Sequence, residues 1–270
     1  MKRRLVFVFV ALLVRAVFAV EDNQTGFRVI QQKTNDGVTL IMESDYCVEY
    51  TVTVEATLKN MTSSHQLPFT VDAVGRRSFA LAHFKRTGEG WSYNYHYHWE
   101  YGGRRNSTDN DADYAMPFGP GRYVVMQGPR GTYSHFKGSG SENAVDWDVP
   151  DGTEVCAARA GRVVGVRDDS TVGGPDPHYK PLGNYVIIKH ADGTFADYHH
   201  LQTGGARVKI GDDVTTGQTI GLSGHTGFAS KPHLHFMVFQ AIDGNRVLSL
   251  PFRLKTEHGT FTDFIRGQAY

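Results

Sequence analysis

The stretch Gly221-Leu222-Ser223-Gly224-His225-Thr226-Gly227-Phe228-Ala229-Ser230-Lys231-Pro232-His233-Leu234-His235-Phe236-Met237-Val238-Phe239 runs from a glycine-punctuated loop through a proline to an H-x-H pair that opens an apolar run. The run is aromatic and branched with no helical period, so it reads as a β-strand. Residues two apart in a strand share a face, so His233 and His235 are expected to look into one cleft. Two imidazoles on a rigid strand face can begin a metal site. An H-x-H pair alone is a weak signal, and strand histidines with no ligand role are the plainer alternative. The metal reading holds only if the rest of the chain supplies further ligands.

Outward from this stretch, the 270-residue chain reads as mostly β. Short apolar runs are separated by Gly, Asp, Asn and Pro, and no window keeps a helical period. The segment at 1–19 reads as an export signal. Lys2, Arg3 and Arg4 precede an apolar run of ten residues, too short to span a bilayer, and Val17-Phe18-Ala19 offers a cleavage site. An uncleaved anchor stays open, because Arg15 falls late in the apolar stretch, and it would be the chain's one membrane contact. Losing the signal removes four basic residues and leaves 24 basic against 28 acidic ones. No basic field remains to hold nucleic acid, so that class of partner is excluded. The expected location is periplasmic or extracellular.

Residues 20–120 are expected to form a β-rich N-terminal domain, an antiparallel sandwich built on the alternating segment 50–58, the segment 77–84 and the aromatic strand Tyr93-Asn94-Tyr95-His96-Tyr97-His98-Trp99-Glu100-Tyr101. His96 and His98 make a second H-x-H, but no carboxylate or third histidine accompanies it, so it reads as a half-exposed strand face. Met116-Pro117-Phe118-Gly119-Pro120-Gly121 breaks regular structure and marks the junction. Residues 121–270 then form a second unit of short strands. Asp192-Gly193 signals a hairpin leading into Thr194-Phe195-Ala196-Asp197-Tyr198-His199-His200-Leu201. Cys47 and Cys156 are too few for a disulfide framework; a bond between them and a buried free thiol at Cys156 are both open.

A catalytic zinc takes three protein ligands and keeps a fourth position for water. With no CxxC in the chain, histidine nitrogens and carboxylate oxygens are the expected donors. His135, Asp146 and His235 fit that count. Asp146 lies in an apolar stretch, where an unpaired carboxylate is costly. Spacing leaves two plainer readings open, Asp146 as a surface-facing strand residue and His135 as a loop histidine.

Five blocks between about residues 121 and 240 resemble the M23 family of zinc metallopeptidases, the lysostaphin and LytM type. They are Val145-Asp146-Trp147 with Pro150-Asp151-Gly152-Thr153, then Tyr198-His199-His200-Leu201, then Val208-Lys209-Ile210-Gly211-Asp212-Asp213-Val214-Thr215-Thr216-Gly217-Gln218, then Ser223-Gly224-His225-Thr226-Gly227, and Pro232-His233-Leu234-His235-Phe236. The resemblance implies an antiparallel β-sheet metallopeptidase domain of LytM-like, β-hammerhead type behind the sandwich. It implies zinc as cofactor, Asp146 and His235 as metal ligands, and His200 and His233 as catalytic, non-ligand histidines. One position departs from the pattern: four residues before the aspartate, where the family carries its first ligand, stands Glu142. His135 is nominated in its place, with Glu142 as the alternative. The implied chemistry is attack by a zinc-activated water on a peptide carbonyl, with His200 and His233 accepting the proton and stabilising the oxyanion. The implied substrate is the stem or cross-bridge peptide of bacterial peptidoglycan. A metal-free regulator of other wall hydrolases, with the same fold, is the alternative.

Overall fold

The computed structural model describes residues 4–6, 26–73, 75, 77–104 and 110–270. Two compact units are present, one of Met1–Arg104 with Ala241–Arg246, the other of Arg105–Gln240 with Val247–Tyr270. They part near residue 104 rather than 120. The reason is that Asp113–Tyr114 already pairs with Arg253–Thr256, and Tyr114 and Phe118 lie in the core of the second unit. Arg4–Val6 pairs with residues 95–97, and the rest of the expected export signal lies outside the described residues.

The first unit holds two four-stranded sheets. One orders Arg4–Val6, Ser92–Tyr101, Tyr50–Lys59 and Phe69–Ala73; the other orders Phe27–Lys33, Gly37–Ser44, Ser78–Arg86 and Met61–Ser63. Their neighbours are antiparallel throughout. Tyr93, Tyr95, Tyr97, Trp99 and Tyr101 are buried on one face by the two-residue period of a strand. Phe27 of the second sheet meets Trp99 and Tyr50 of the first, with ring centroids 5.0 and 4.9 Å apart. His98, expected to be half-exposed, is buried.

The second unit is organised by a sheet ordered Val124–Gln127, Val145–Asp148, Leu234–Asp243, Phe195–Leu201, Asn184–Lys189, Gly161–Arg167 and Asp213–Val214, with Arg246–Leu250 also paired to Leu234–Asp243. One face is apolar: Val145, Trp147, Ala196, Tyr198, Leu234, Phe236 and Val238 are all buried in a single cluster. Each large side chain buried there contributes roughly 1.5–3 kcal/mol. The end of the chain borders the Val124–Gln127 strand. Val125 N donates to Gln268 O at 3.0 Å, Gly267 N donates to Val125 O at 2.8 Å, and Tyr123 and Tyr270 exchange backbone bonds of 3.1 and 3.2 Å. Cys47 is exposed, Cys156 is buried, and both are free thiols.

Candidate metal centre and active site

The site grows from one cross-strand row. Gln127 pairs with Asp146, Asp146 with His235, and His235 with His199 across four adjacent strands. The buried residues on either side, Val145, Trp147, Leu234, Phe236 and Tyr198, turn to the core. By the two-residue alternation the row therefore turns to the opposite face. A register shift between Val125 and Gln127 makes Met126 the extra residue and brings Gln127 into line with Asp146.

His135 reaches this row from a loop. Gln127 Oε1 accepts from the backbone N of Tyr133 at 2.9 Å and of Ser134 at 3.3 Å. Gln127 Nε2 donates to Asp146 Oδ2 at 2.9 Å and to Ser134 Oγ at 3.0 Å. One amide thus fastens the His135 loop to the carboxylate it must meet. Gly128 follows, and a side chain there would collide with Phe264 O, 1.8 Å from the Cβ position. The Gly/Ser tract behind His135 folds as successive turns, with backbone bonds from Ser139 N to Phe136 O at 3.0 Å, Glu142 N to Ser139 O at 3.2 Å and Ala144 N to Ser141 O at 2.9 Å.

Three donor atoms converge. His235 Nδ1 lies 2.8 Å from Asp146 Oδ1, and His135 Nε2 lies 3.3 Å from each of these atoms. A tetrahedral zinc with bonds of about 2.1 Å would hold its ligands about 3.4 Å apart, so the set fits that ion. His135 Nδ1 faces Gly128 O at 3.2 Å, and because a carbonyl only accepts, Nδ1 carries the proton and Nε2 the lone pair. Burial opposes the charge on Asp146, but the adjacent imidazoles of His135 and His235 outweigh it and hold the carboxyl well below its ordinary range.

His200 and His233 flank the triad, their ring centroids 4.5 Å apart. His200 owes its place to a second bulge. Asn184 pairs with Leu201 and Tyr185 with His199, so His200 is the extra residue, and it holds the left-handed backbone angle φ +67°. A regular strand would send His200 to the core face. His200 Nδ1 meets Thr226 O at 2.7 Å and His233 Nδ1 meets Lys231 O at 2.9 Å. Both Nδ1 atoms are therefore donors, and both Nε2 atoms are free to accept a proton. Burial, aided for His200 by the surrounding imidazoles, lowers the pKa of each below its ordinary 6.5. Both stay neutral at pH 7, as a proton acceptor must.

The expected residues Asp146, His200, His233 and His235 line one cleft of about 460 Å³. Buried His135 joins Asp146 and His235 in a group that could hold a metal ion. Glu142, the alternative ligand, is engaged elsewhere: its carboxylate pairs with Arg130 Nε at 3.0 Å and accepts from Gly138 N at 2.7 Å, which pins the Gly/Ser turn. His199, at the end of the row, is not in the cleft lining; it is stacked on Tyr185 at 5.6 Å and faces Asp197 at 3.3 Å. Sequence reasoning missed Gln127, whose only signal is a polar residue closing the strand Val124-Val125-Met126-Gln127. It also missed the carbonyls of Thr226 and Lys231, which carry no signal because any residue has them.

Residues 140–247 match peptidase family M23, a span that takes in Asp146, His200, His233 and His235 and starts after His135. The peptidoglycan DD-endopeptidase ShyA of Vibrio cholerae is 36% identical over 108 residues, which are 40% of this chain and 22% of that protein. Lysostaphin of Staphylococcus simulans is 38% identical over 98 residues, 36% of this chain and 18% of that protein. The catalytic domain of a prophage-encoded M23 protein from Enterococcus faecalis is 27% identical, with 51% of this chain and 93% of that one covered and a TM-score of 0.37. The alignments thus span under a quarter of the length of these curated relatives.

Proposed function

We propose, from the premise that this chain carries a peptidase family M23 domain over residues 140–247, that it is an exported zinc metalloendopeptidase that hydrolyses the peptide cross-links of bacterial peptidoglycan. The observation that carries the reading is the convergence of His135 Nε2, Asp146 Oδ1 and His235 Nδ1 beside two neutral, non-ligand histidines. Bound to the three ligands, the ion would supply Lewis acidity toward the carbonyl and make water nucleophilic near neutral pH. The protein's own residues do the rest. Asp146 brings negative charge to the ligand set, and Gln127 holds its outer oxygen. His200 and His233 present Nε2 to the cleft, where one of them takes a proton from the attacking water, faces the developing oxyanion as an imidazolium and returns that same proton to the leaving amine. Their carbonyl partners keep each ring in the tautomer this requires.

The peptidoglycan substrate is supported by the relatives named above, and export by the basic and apolar residues at the start of the chain. The test is digestion of purified peptidoglycan with mass analysis of the fragments, with and without a chelator. Expected are fragments ending at a cross-link peptide bond, lost on chelation and restored by zinc. A protein that binds no metal and releases nothing would favour the regulator reading.

A further inference from the structure

Arg266 lies beyond the M23 span yet lines the cleft together with Asp146, His200, His233 and His235. The backbone puts it there: the bonds of Gly267 and Gln268 to Val125 fix the residues that follow it against the strand leading to Gln127. The Arg266 guanidinium stands over the Tyr133 ring, 5.4 Å from its centroid. The Tyr133 backbone is itself held by Gln127. A cation–π contact orients a guanidinium without using its N–H donors. Among the described residues no carboxylate pairs with Arg266, whereas Lys231, the other basic residue of the cleft lining, is held by Asp148 at 2.7 Å. The acidic group of the lining, Asp146, is occupied by His135, His235 and Gln127. The cleft therefore offers an incoming anion an oriented, unspent fork of donors.

We propose that Arg266 forms a subsite for a carboxylate of the peptide substrate, so that this protein selects peptides with a free carboxylate beside the bond that is cut. The proposal rests on the peptidase reading and adds a substrate preference to it. A planar guanidinium binds a carboxylate through two parallel hydrogen bonds, and a carboxamide cannot accept them in that way. Arg266 and Tyr133 are exposed, so solvent screens such a charge-assisted pair and it is worth roughly two- to fivefold in binding.

The test uses cross-linked peptide dimers from purified peptidoglycan, as prepared and after carbodiimide coupling with ammonia, which turns carboxylates into carboxamides. In the natural protein kcat/KM should favour the carboxylate form by roughly two- to fivefold, mainly through KM. Arg266→Gln should bring the ratio close to one, and Arg266→Lys should keep part of it. Equal rates on the two forms in the natural protein, or a ratio that survives in Arg266→Gln, would overturn the subsite and leave the peptidase standing. If neither form is cut, the peptidase reading fails, and calorimetric binding of the same two peptides decides the subsite by the same ratio.

Discussion

Each imidazole of the site is assigned its work by what holds its Nδ1. At His200 and His233 a backbone carbonyl takes the Nδ1 proton and leaves Nε2 as a base, whereas at His235 Nδ1 itself points at Asp146. His235→Ala should therefore lose bound metal and activity together. His233→Ala should keep its metal and lose roughly 10²–10⁴ in kcat; metal content and peptidoglycan hydrolysis check both, and full activity in either variant would refute the assignment. Because both Nε2 bases have pKa values below 6.5, the acid limb of kcat/KM should fall below that pH, with activity lost as pH drops through it. Gln127 belongs to the same scale. Gln127→Met keeps the volume but frees Asp146 Oδ2 and the His135 loop, so zinc affinity should fall about ten- to a hundredfold. Competition with a chromophoric chelator measures this, and unchanged affinity would show that the loop holds without the amide.

At the scale of elements, the two bulges do what regular strands cannot. The row Gln127, Asp146, His235, His199 needs only the pleat, but placing His200 in the same cleft as His235 needs one extra residue at a left-handed angle. That angle costs a residue with a Cβ about 1–2 kcal/mol relative to a strand conformation, and the interlocked sheet supports it. His200→Gly should accordingly be more stable than His200→Ala by about 1 kcal/mol, although both lack the imidazole. Thermal unfolding of the pair tests this, and equal stabilities would mean that the backbone relaxes once the ring is gone.

For the whole molecule, the second unit carries a built-in acid sensitivity away from the cleft. His190 is buried under the Tyr114 ring and its Nδ1 donates to Ala160 O at 2.9 Å; burial lowers its pKa to about 4. Above pH 6.5 the folded and unfolded chains both hold it neutral. As pH falls from 6.5 toward 4, the unfolded chain takes up a proton that the folded one refuses, so stability falls, by up to about 3 kcal/mol at pH 4. His190→Gln should flatten that part of the stability profile relative to the natural protein. Denaturant unfolding between pH 7 and 4.5 checks it, and parallel profiles would remove His190 from the account.

The sequence alone determined the β-rich character of both units and, through its five spaced blocks, the peptidase likeness, because those signals are local: alternation, turn residues and short motifs survive without knowledge of what packs on what. It also put Asp146 among apolar neighbours, which gives a buried carboxylate a reason to exist. Only the tertiary structure brought His135, rather than Glu142, beside Asp146 and His235, since the Gly/Ser tract gives no period from which to reckon where the loop closes. Gln127 and a capped turn closed it, with Glu142 spent on Arg130 and Gly138. Likewise Tyr198-His199-His200-Leu201 offers two histidines in a row, and which one enters the cleft was set by a bulge that depends on the register of the neighbouring strand. The partners that fix each ring are backbone carbonyls distant in sequence, and a backbone carbonyl is the same in every residue.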